Sequence, residues 1–201
     1  MKNTAQKRLK RRMRKCIFSC YIYLWRITMS LPTIDNGLLP LRTNADIIGK
    51  TVYTLRGGRK AGVVKDVFFD EAFENMCGIS LGKEGLFSRN TMYVPLDGIV
   101  ELGYDIVIIG SEKNIEPRER ASLESLISAA WFQKREVVDR GIKLAISDDV
   151  MVSESCKVMG ISFLKVLAQG KIASIEMLSR EAIREIRTKD DPCIHVDLDK
   201  F

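Results

Sequence analysis

Gly58-Arg-Lys-Ala-Gly-Val-Val-Lys-Asp-Val67 and Gly141-Ile-Lys-Leu-Ala-Ile-Ser-Asp-Asp-Val150 are two versions of one stretch, and reading them together decides the fold. In register, Gly58 meets Gly141, Lys60 meets Lys143, Asp66 meets Asp149 and Val67 meets Val150. One deletion later, Met76-Cys-Gly-Ile-Ser-Leu81 faces Val158-Met-Gly-Ile-Ser-Phe163, so Gly78-Ile79-Ser80 matches Gly160-Ile161-Ser162. Pro95-Leu-Asp-Gly-Ile99 then corresponds to Ser179-Arg-Glu-Ala-Ile183, and each copy closes on an apolar strand, Ile106–Ile109 and Ile194–Val196. Internal self-similarity of this kind outranks any local reading.

Within the first copy the pattern is β. Ile48–Leu55 alternates and is rich in β-branched residues, and Gly57-Gly58 tolerates the positive φ of a hairpin turn. Ala61–Phe69 returns, Asp70–Asn75 turns, and Met76–Leu81, Thr91–Val94 and Ile106–Ile109 supply further strands. Short strands separated by turns indicate a small barrel or sandwich. The expected fold class is therefore mainly β: two tandem small antiparallel β-barrels joined by a short helix.

The expected organisation has four parts: a basic tail and irregular lead-in over 1–45, one barrel over 46–115, a helical linker over 116–130, and a second barrel over 131–201. Pro117 suits a first helical turn, and Leu123, Leu126, Ile127 and Ala130 fall on one helical face. An extended linker is the alternative. A helical turn is also expected around Ser179–Arg187, with Ala182, Ile183 and Ile186 as a core-facing stripe.

These residues resemble the PRC-barrel family, named for the H subunit of purple-bacterial photosynthetic reaction centres and including a domain of a bacterial ribosome-maturation factor. Gly49, Gly58, Gly62, Asp66, Val67, Asp70, Gly78, Pro95, Leu96, Ile99 and Gly103 carry the resemblance over 46–112. The second copy, 131–198, departs from it: Ala145 stands at the place of Gly62, Ser153 at Asp70 and Ser179 at Pro95. The resemblance implies a barrel that docks on another macromolecule, and tandem copies are similar to photosynthesis-associated proteins of cyanobacteria. It implies a non-catalytic adaptor or assembly factor with protein partners, associated with the photosynthetic apparatus. The alternative is a ribosome-associated maturation factor acting on RNA or ribosomal protein.

The 201 residues carry a net charge of +6, but nine of the 32 Lys and Arg lie in residues 1–28, which hold no Asp or Glu. The other 23 basic residues face 26 acidic ones, a balance of −3 for residues 29–201. A nucleic-acid partner is thus not expected except through the tail. The tail joins Lys7, Arg8, Lys10, Arg11, Arg12, Arg14 and Lys15 to the apolar Cys16–Trp25. It admits three readings: an upstream extension of a chain that starts at Met29, a membrane-surface or anion contact, or a targeting segment. Ten apolar residues are too few to span a bilayer, which needs about 20. Five dispersed cysteines without a CxxC pair fit reduced thiols in the cytoplasm, peripheral to a membrane if the tail anchors. Cys77 and Cys193 read as small core residues.

The chemistry is sparse, and no catalytic residue, metal site or cofactor is expected. His195 alternates with Ile194 and Val196 and is expected to face solvent; a catalytic pairing with Cys193 lacks an orienting third group. Asp66 with Asp70, and Asp148 with Asp149, do not fit a calcium loop and read as turn formers. Arg56–Gly62 lacks the Gly-Lys-Ser/Thr ending of a phosphate loop. The expected partner-binding residues are Leu86, Phe87 and Arg89, in a loop whose aromatic-plus-arginine composition suits protein contacts. A fold-back of Leu86 and Phe87 over the barrel mouth is the equal alternative.

Overall fold

The computed structural model describes residues 41–82, 91–118, 123, 125–169, 171–186 and 192–200. Fifteen short strands occupy this region, and they fall into two sheets of matching design. The first sheet holds β2 (Thr51–Thr54), β3 (Lys60–Phe69), β4 (Met76–Gly82), β5 (Thr91–Pro95), β6 (Ile99–Leu102), β7 (Ile106–Ile109) and β8 (Glu116–Arg118). The second holds β10 (Glu136–Asp139), β11 (Ile142–Val152), β12 (Val158–Val166), β13 (Met177–Ser179), β14 (Ile183–Ile186) and β15 (Ile194–Val196). Their orders are β6-β7-β2-β3-β4-β5-β8 and β14-β15-β10-β11-β12-β13, so every strand of the second has a counterpart in the first. The protein is mainly β, with two tandem barrel-like halves.

The local chemistry explains why the copies fold alike despite their differences. Asp70 accepts hydrogen bonds from the backbone N–H of Glu74 and Asn75 at 2.7 and 3.1 Å, which holds the β3–β4 turn. Ser153 takes the same place in the β11–β12 turn, its hydroxyl accepting from Lys157 N–H at 3.2 Å. Pro95 and Ser179 both precede a one-turn 3-10 helix, at Leu96–Gly98 and Arg180–Ala182, and both have φ −67°. The serine thus adopts the backbone angle that the proline ring imposes. Gly78 and Gly160 are shared for a steric reason: a Cβ at Gly78 would lie 2.3 Å from the Val94 carbonyl oxygen, and one at Gly160 would lie 2.0 Å from that of Leu178.

The halves are tied by a reciprocal exchange. β1 (Arg42–Thr43), which precedes the first half, pairs with the end of β11 in the second, Arg42 opposite Val152 and Thr43 opposite Met151. β9 (Ile127–Ser128), which precedes the second half, pairs with the end of β3 in the first, Ile127 opposite Phe69 and Ser128 opposite Phe68. Each exchanged strand runs into a single helical turn, α1 (Asn44–Ile47) and α2 (Ala129–Phe132), capped by the Thr43 and Ser128 hydroxyls. Bulges in β3 and β11 bend those strands so that one end serves its own sheet and the other receives the neighbour's strand. Asn75 bridges Lys157, Met76 N–H donates to Cys156 at 2.9 Å, and Val158 N–H donates to Glu74 at 2.8 Å. These equivalent turns meet each other, so the halves are related by an approximate two-fold axis.

One apolar core runs through both halves, from Ile47, Val52 and Val67 to Val150, Ile161 and Ile194. At its centre Phe73 stacks on Phe132 with ring centroids 4.4 Å apart, and Phe69 packs edge-on to both at 5.5 and 6.1 Å. All three side chains are fully buried. The symmetry-related positions hold the smaller Val152, Cys156 and Ile47.

Four sequence expectations need correction. The 116–130 segment is not one helix in its described part: Glu116–Arg118 is a strand on β5, Ile127–Ser128 a strand on β3, and only Ala129 and Ala130 enter the helical turn α2. Leu123 and Ile127 are buried as the stripe required, but Ala130 is exposed. Pairing with neighbouring sheets satisfies this backbone, and a periodicity of four apolar residues does not reveal that option. The Ser179–Arg187 region makes its 3-10 turn and then becomes β14, with Ala182 and Ile183 in the core. The sheets are not purely antiparallel, since β2 pairs with β7, and β10 with β15, in parallel. Cys77 and Cys193 are only half-buried, and Cys156 is the cysteine in the core.

Candidate interaction surface

One face of the first half gathers exposed side chains around β6 and the turn that follows it. β6 is the terminal strand of its sheet. Val100 on it is 55% exposed, and Tyr104, in the turn to β7, is 70% exposed. A tyrosine this open offers a large amphipathic surface with few rotatable bonds. It is held from behind: the Arg42 guanidinium lies 4.5 Å over the Tyr104 ring and donates to the Leu102 carbonyl. Lys50 donates to the Gly103 carbonyl at 3.3 Å, pinning the same turn.

Arg42 separates two hollows. One, of about 340 Å³, is lined by Leu41, Arg42, Ala45, Asp46, Ile48, Lys50 and Tyr104. The other, of about 260 Å³, lies between β6 and the β11–β12 hairpin and is lined by Arg42, Val100, Glu101, Leu102, Val152, Ser153 and Glu154. In the first hollow Asp46 is held below the usual carboxylate range, chiefly because the Thr43 backbone N–H donates to it, helped by the Thr43 hydroxyl, Lys50 and Arg42. It is therefore a fixed negative charge near neutrality. Apolar surface, a presented aromatic ring and charges of both signs thus come together on this face.

The paired aspartates serve the fold. Asp66 accepts from Val67 N–H at 2.8 Å and from the Ser128 hydroxyl, locking the exchanged β9. Its counterpart Asp149 accepts from the Asn44 amide at 2.9 Å, while Asn44 Oδ1 accepts from Val150 N–H. Burial raises the Asp149 pKa, with Asp148 and Asp46 adding to the rise and the Asn44 hydrogen bond opposing it. Burial also pushes up the Cys156 thiol, and burial with the Asp70 charge pushes up Cys77. His195 is half-buried on the face opposite the buried Ile194 and Val196, as alternation requires. Cys193 shares that outer face, its sulfur 4.0 Å from Glu136 Oε2, while Oε1 of the same carboxylate pairs with Lys143. Among the described residues no cluster of His, Cys, Asp and Glu suits a metal ion, and no helix is long and apolar enough to cross a membrane.

Leu86, Phe87 and Arg89, and the tail cations Lys7, Arg8, Lys10, Arg11, Arg12, Arg14 and Lys15, lie outside the described residues. Sequence reasoning missed Arg42 and Tyr104. Arg42 stood in a segment read as irregular lead-in, and Tyr104 follows Gly103 with nothing local to mark it as presented. Only the pairing of β1 with the second half carries Arg42 to that turn.

Comparison with curated proteins finds no match for this chain. The second half repeats the strand order of the first without matching a family model of its own. Residues 42–113, which hold β1 to β7 and the helical turn α1, match the family model of the PRC-barrel domain.

Proposed function

We propose that this protein is a non-catalytic adaptor or assembly factor that holds a protein partner on the Arg42–Tyr104 face of its PRC-barrel domain. The observation that carries this reading is an exposed aromatic ring braced by an arginine that lines two hollows at the junction of the halves. A PRC-barrel domain goes in general with interaction or assembly roles, which supports the same conclusion. The −3 balance of residues 29–201 favours a protein partner over nucleic acid. Association with the photosynthetic apparatus, from a cytoplasmic position at a membrane surface, is the setting that family resemblance suggests. The loop carrying Leu86, Phe87 and Arg89 is a second contact in this proposal.

The test is quantitative affinity capture from the native organism with the wild-type chain and with Tyr104→Ala. Truncating a central aromatic anchor typically costs about 2 kcal/mol or more, so recovery of a direct partner drops at least about tenfold. Equal recovery by both proteins refutes this face as the contact. Recovery of nothing specific by the wild type refutes the adaptor reading itself. Co-sedimentation with ribosomal subunits at moderate salt, retained in the absence of the tail, replaces it with the ribosomal alternative.

A further inference from the structure

Strand pairing fixes a row of side chains across the outer face of the first sheet. Glu101 on β6 lies opposite Ile108 on β7, Ile108 opposite Tyr53 on β2, and Tyr53 opposite Lys60 on β3. Paired residues project from the same side of a sheet, so the four form one line. Val52, Val107 and Ile109 alternate with them and are fully buried, which turns this side of the sheet toward solvent. The line runs from an exposed carboxylate, through two half-buried apolar groups, to an exposed ammonium. Leu55, two residues beyond Tyr53, and Ile106, two residues before Ile108, flank it on the same side and are 62% and 38% exposed. The Leu55 N–H donates to the Ile109 carbonyl at 2.7 Å, so the pairing continues to that point.

The second half has the same line, and there the chain neutralises it internally. Glu185 lies opposite His195, His195 opposite Val138, and Val138 opposite Lys143. Lys143 pairs with Glu136 at 2.6 Å, and Arg140, at the place of Leu55, pairs with Asp199. In the first half Thr51 stands at the place of Glu136, Ile106 at that of Cys193 and Ile108 at that of His195. Among the described residues neither Glu101 nor Lys60 makes an ion pair or a side-chain hydrogen bond. The first half thus presents an apolar strip with an unpaired charge of opposite sign at each end.

We infer that this face pairs with the same face of a second copy of the chain, about a two-fold axis that passes between Ile108 and Tyr53. Rotation about that axis sets Glu101 of each copy against Lys60 of the other and lays the two apolar strips on each other. A line with unlike charges at its ends and apolar groups between them is its own complement under this rotation, which singles out a second copy as the occupant. Sheets packed face to face lie about 10 Å apart with their side chains interdigitated, a gap that long side chains such as Glu and Lys bridge. The second half is unsuited to the same contact, because its lysine is already paired and a polar His195 stands in the middle of its line. The inference goes beyond the adaptor reading and does not depend on it.

Sedimentation equilibrium of the full chain provides the test. The wild type is expected to pass with rising concentration from one chain to two and no further. Glu101→Lys and Lys60→Glu each set like charges against each other at both ends of the contact, and each variant alone dimerises at least about tenfold more weakly. Mixing the two variants restores pairing, because both charged contacts of the mixed dimer again join opposite signs. The Glu101→Lys/Lys60→Glu double variant recovers wild-type association for the same reason, which separates a lost contact from a folding defect. Leu55→Glu, at an exposed position outside the core, also weakens the dimer. A wild type that stays monomeric up to about 1 mM overturns the inference. So does dimerisation that neither charge reversal alters, or growth beyond the dimer. Partner capture reads the adaptor question separately: a monomer that still recovers a partner overturns this inference alone, and a charge-swappable dimer that recovers none removes only the adaptor reading.

Discussion

Phe132→Ala tests whether the two halves are one folding unit. Phe132 belongs to the exchanged turn α2 and is fully buried against Phe73 at 4.4 Å and Phe69 at 6.1 Å, both from the first half. Truncating a buried phenylalanine costs about 3–5 kcal/mol, from lost transfer free energy and the cavity left behind. The two aromatic pairings are part of that loss, at about 0.5–1.5 kcal/mol each beyond their area. Neighbouring strands hold the site on both sides and limit collapse, so about 4 kcal/mol is expected. For a domain of this size that lowers the melting temperature by roughly 10 °C. Urea unfolding followed by far-UV circular dichroism and by tryptophan fluorescence, to which the adjacent Trp131 contributes, makes the measurement. Because the core is continuous, both probes shift together in a single transition. A loss below about 1 kcal/mol, or a biphasic curve in which one half melts and the other keeps its wild-type midpoint, refutes the reasoning.

Two further outcomes follow from the polar clips. Asn44→Ala removes both the acceptor for Val150 N–H and the donor to Asp149, leaving a buried backbone donor unsatisfied; a loss of about 1–3 kcal/mol is expected in chemical denaturation. The Asp149 carboxyl has its folded pKa raised above the ordinary 3.8, so the folded state holds the proton more tightly than the unfolded one. Its contribution to stability is therefore greatest in acid and declines as pH rises from about 3.8 through the folded value. Asp149→Asn keeps an oxygen for Asn44 and carries no charge, so its denaturation midpoint exceeds that of the wild type at pH 7. The difference shrinks on acidification below 3.8, and a pH-independent difference removes burial of the charge as its cause.

Much of the fold was legible because it depends on local rules. Gly57-Gly58 turns with φ +103° and +61° where the hairpin was expected. The strands at Thr91, Met76 and Ile106 begin where alternation placed them. The repeat was legible because Gly78 and Gly160 have no room for a side chain, and such positions keep their identity whatever surrounds them. β6 was missed because Ile99-Val-Glu-Leu102 is too short to declare a period, and β1 and β9 because two residues carry no pattern. The site was less legible still: Arg42 and Tyr104 are 62 positions apart and meet through a pairing between halves.

By itself the amino-acid order determined that the chain is β, that it is built twice, and which turns join its strands. Those properties come from backbone angles and from side-chain alternation, which act over a few residues. Tertiary structure alone decided that the halves exchange strands and share one core, that Arg180 ties the start of β14 to the β3–β4 turn, and that Arg42 braces Tyr104. Those outcomes depend on which distant backbone groups and side chains find partners in space, and nothing in the spacing of neighbouring residues encodes that choice.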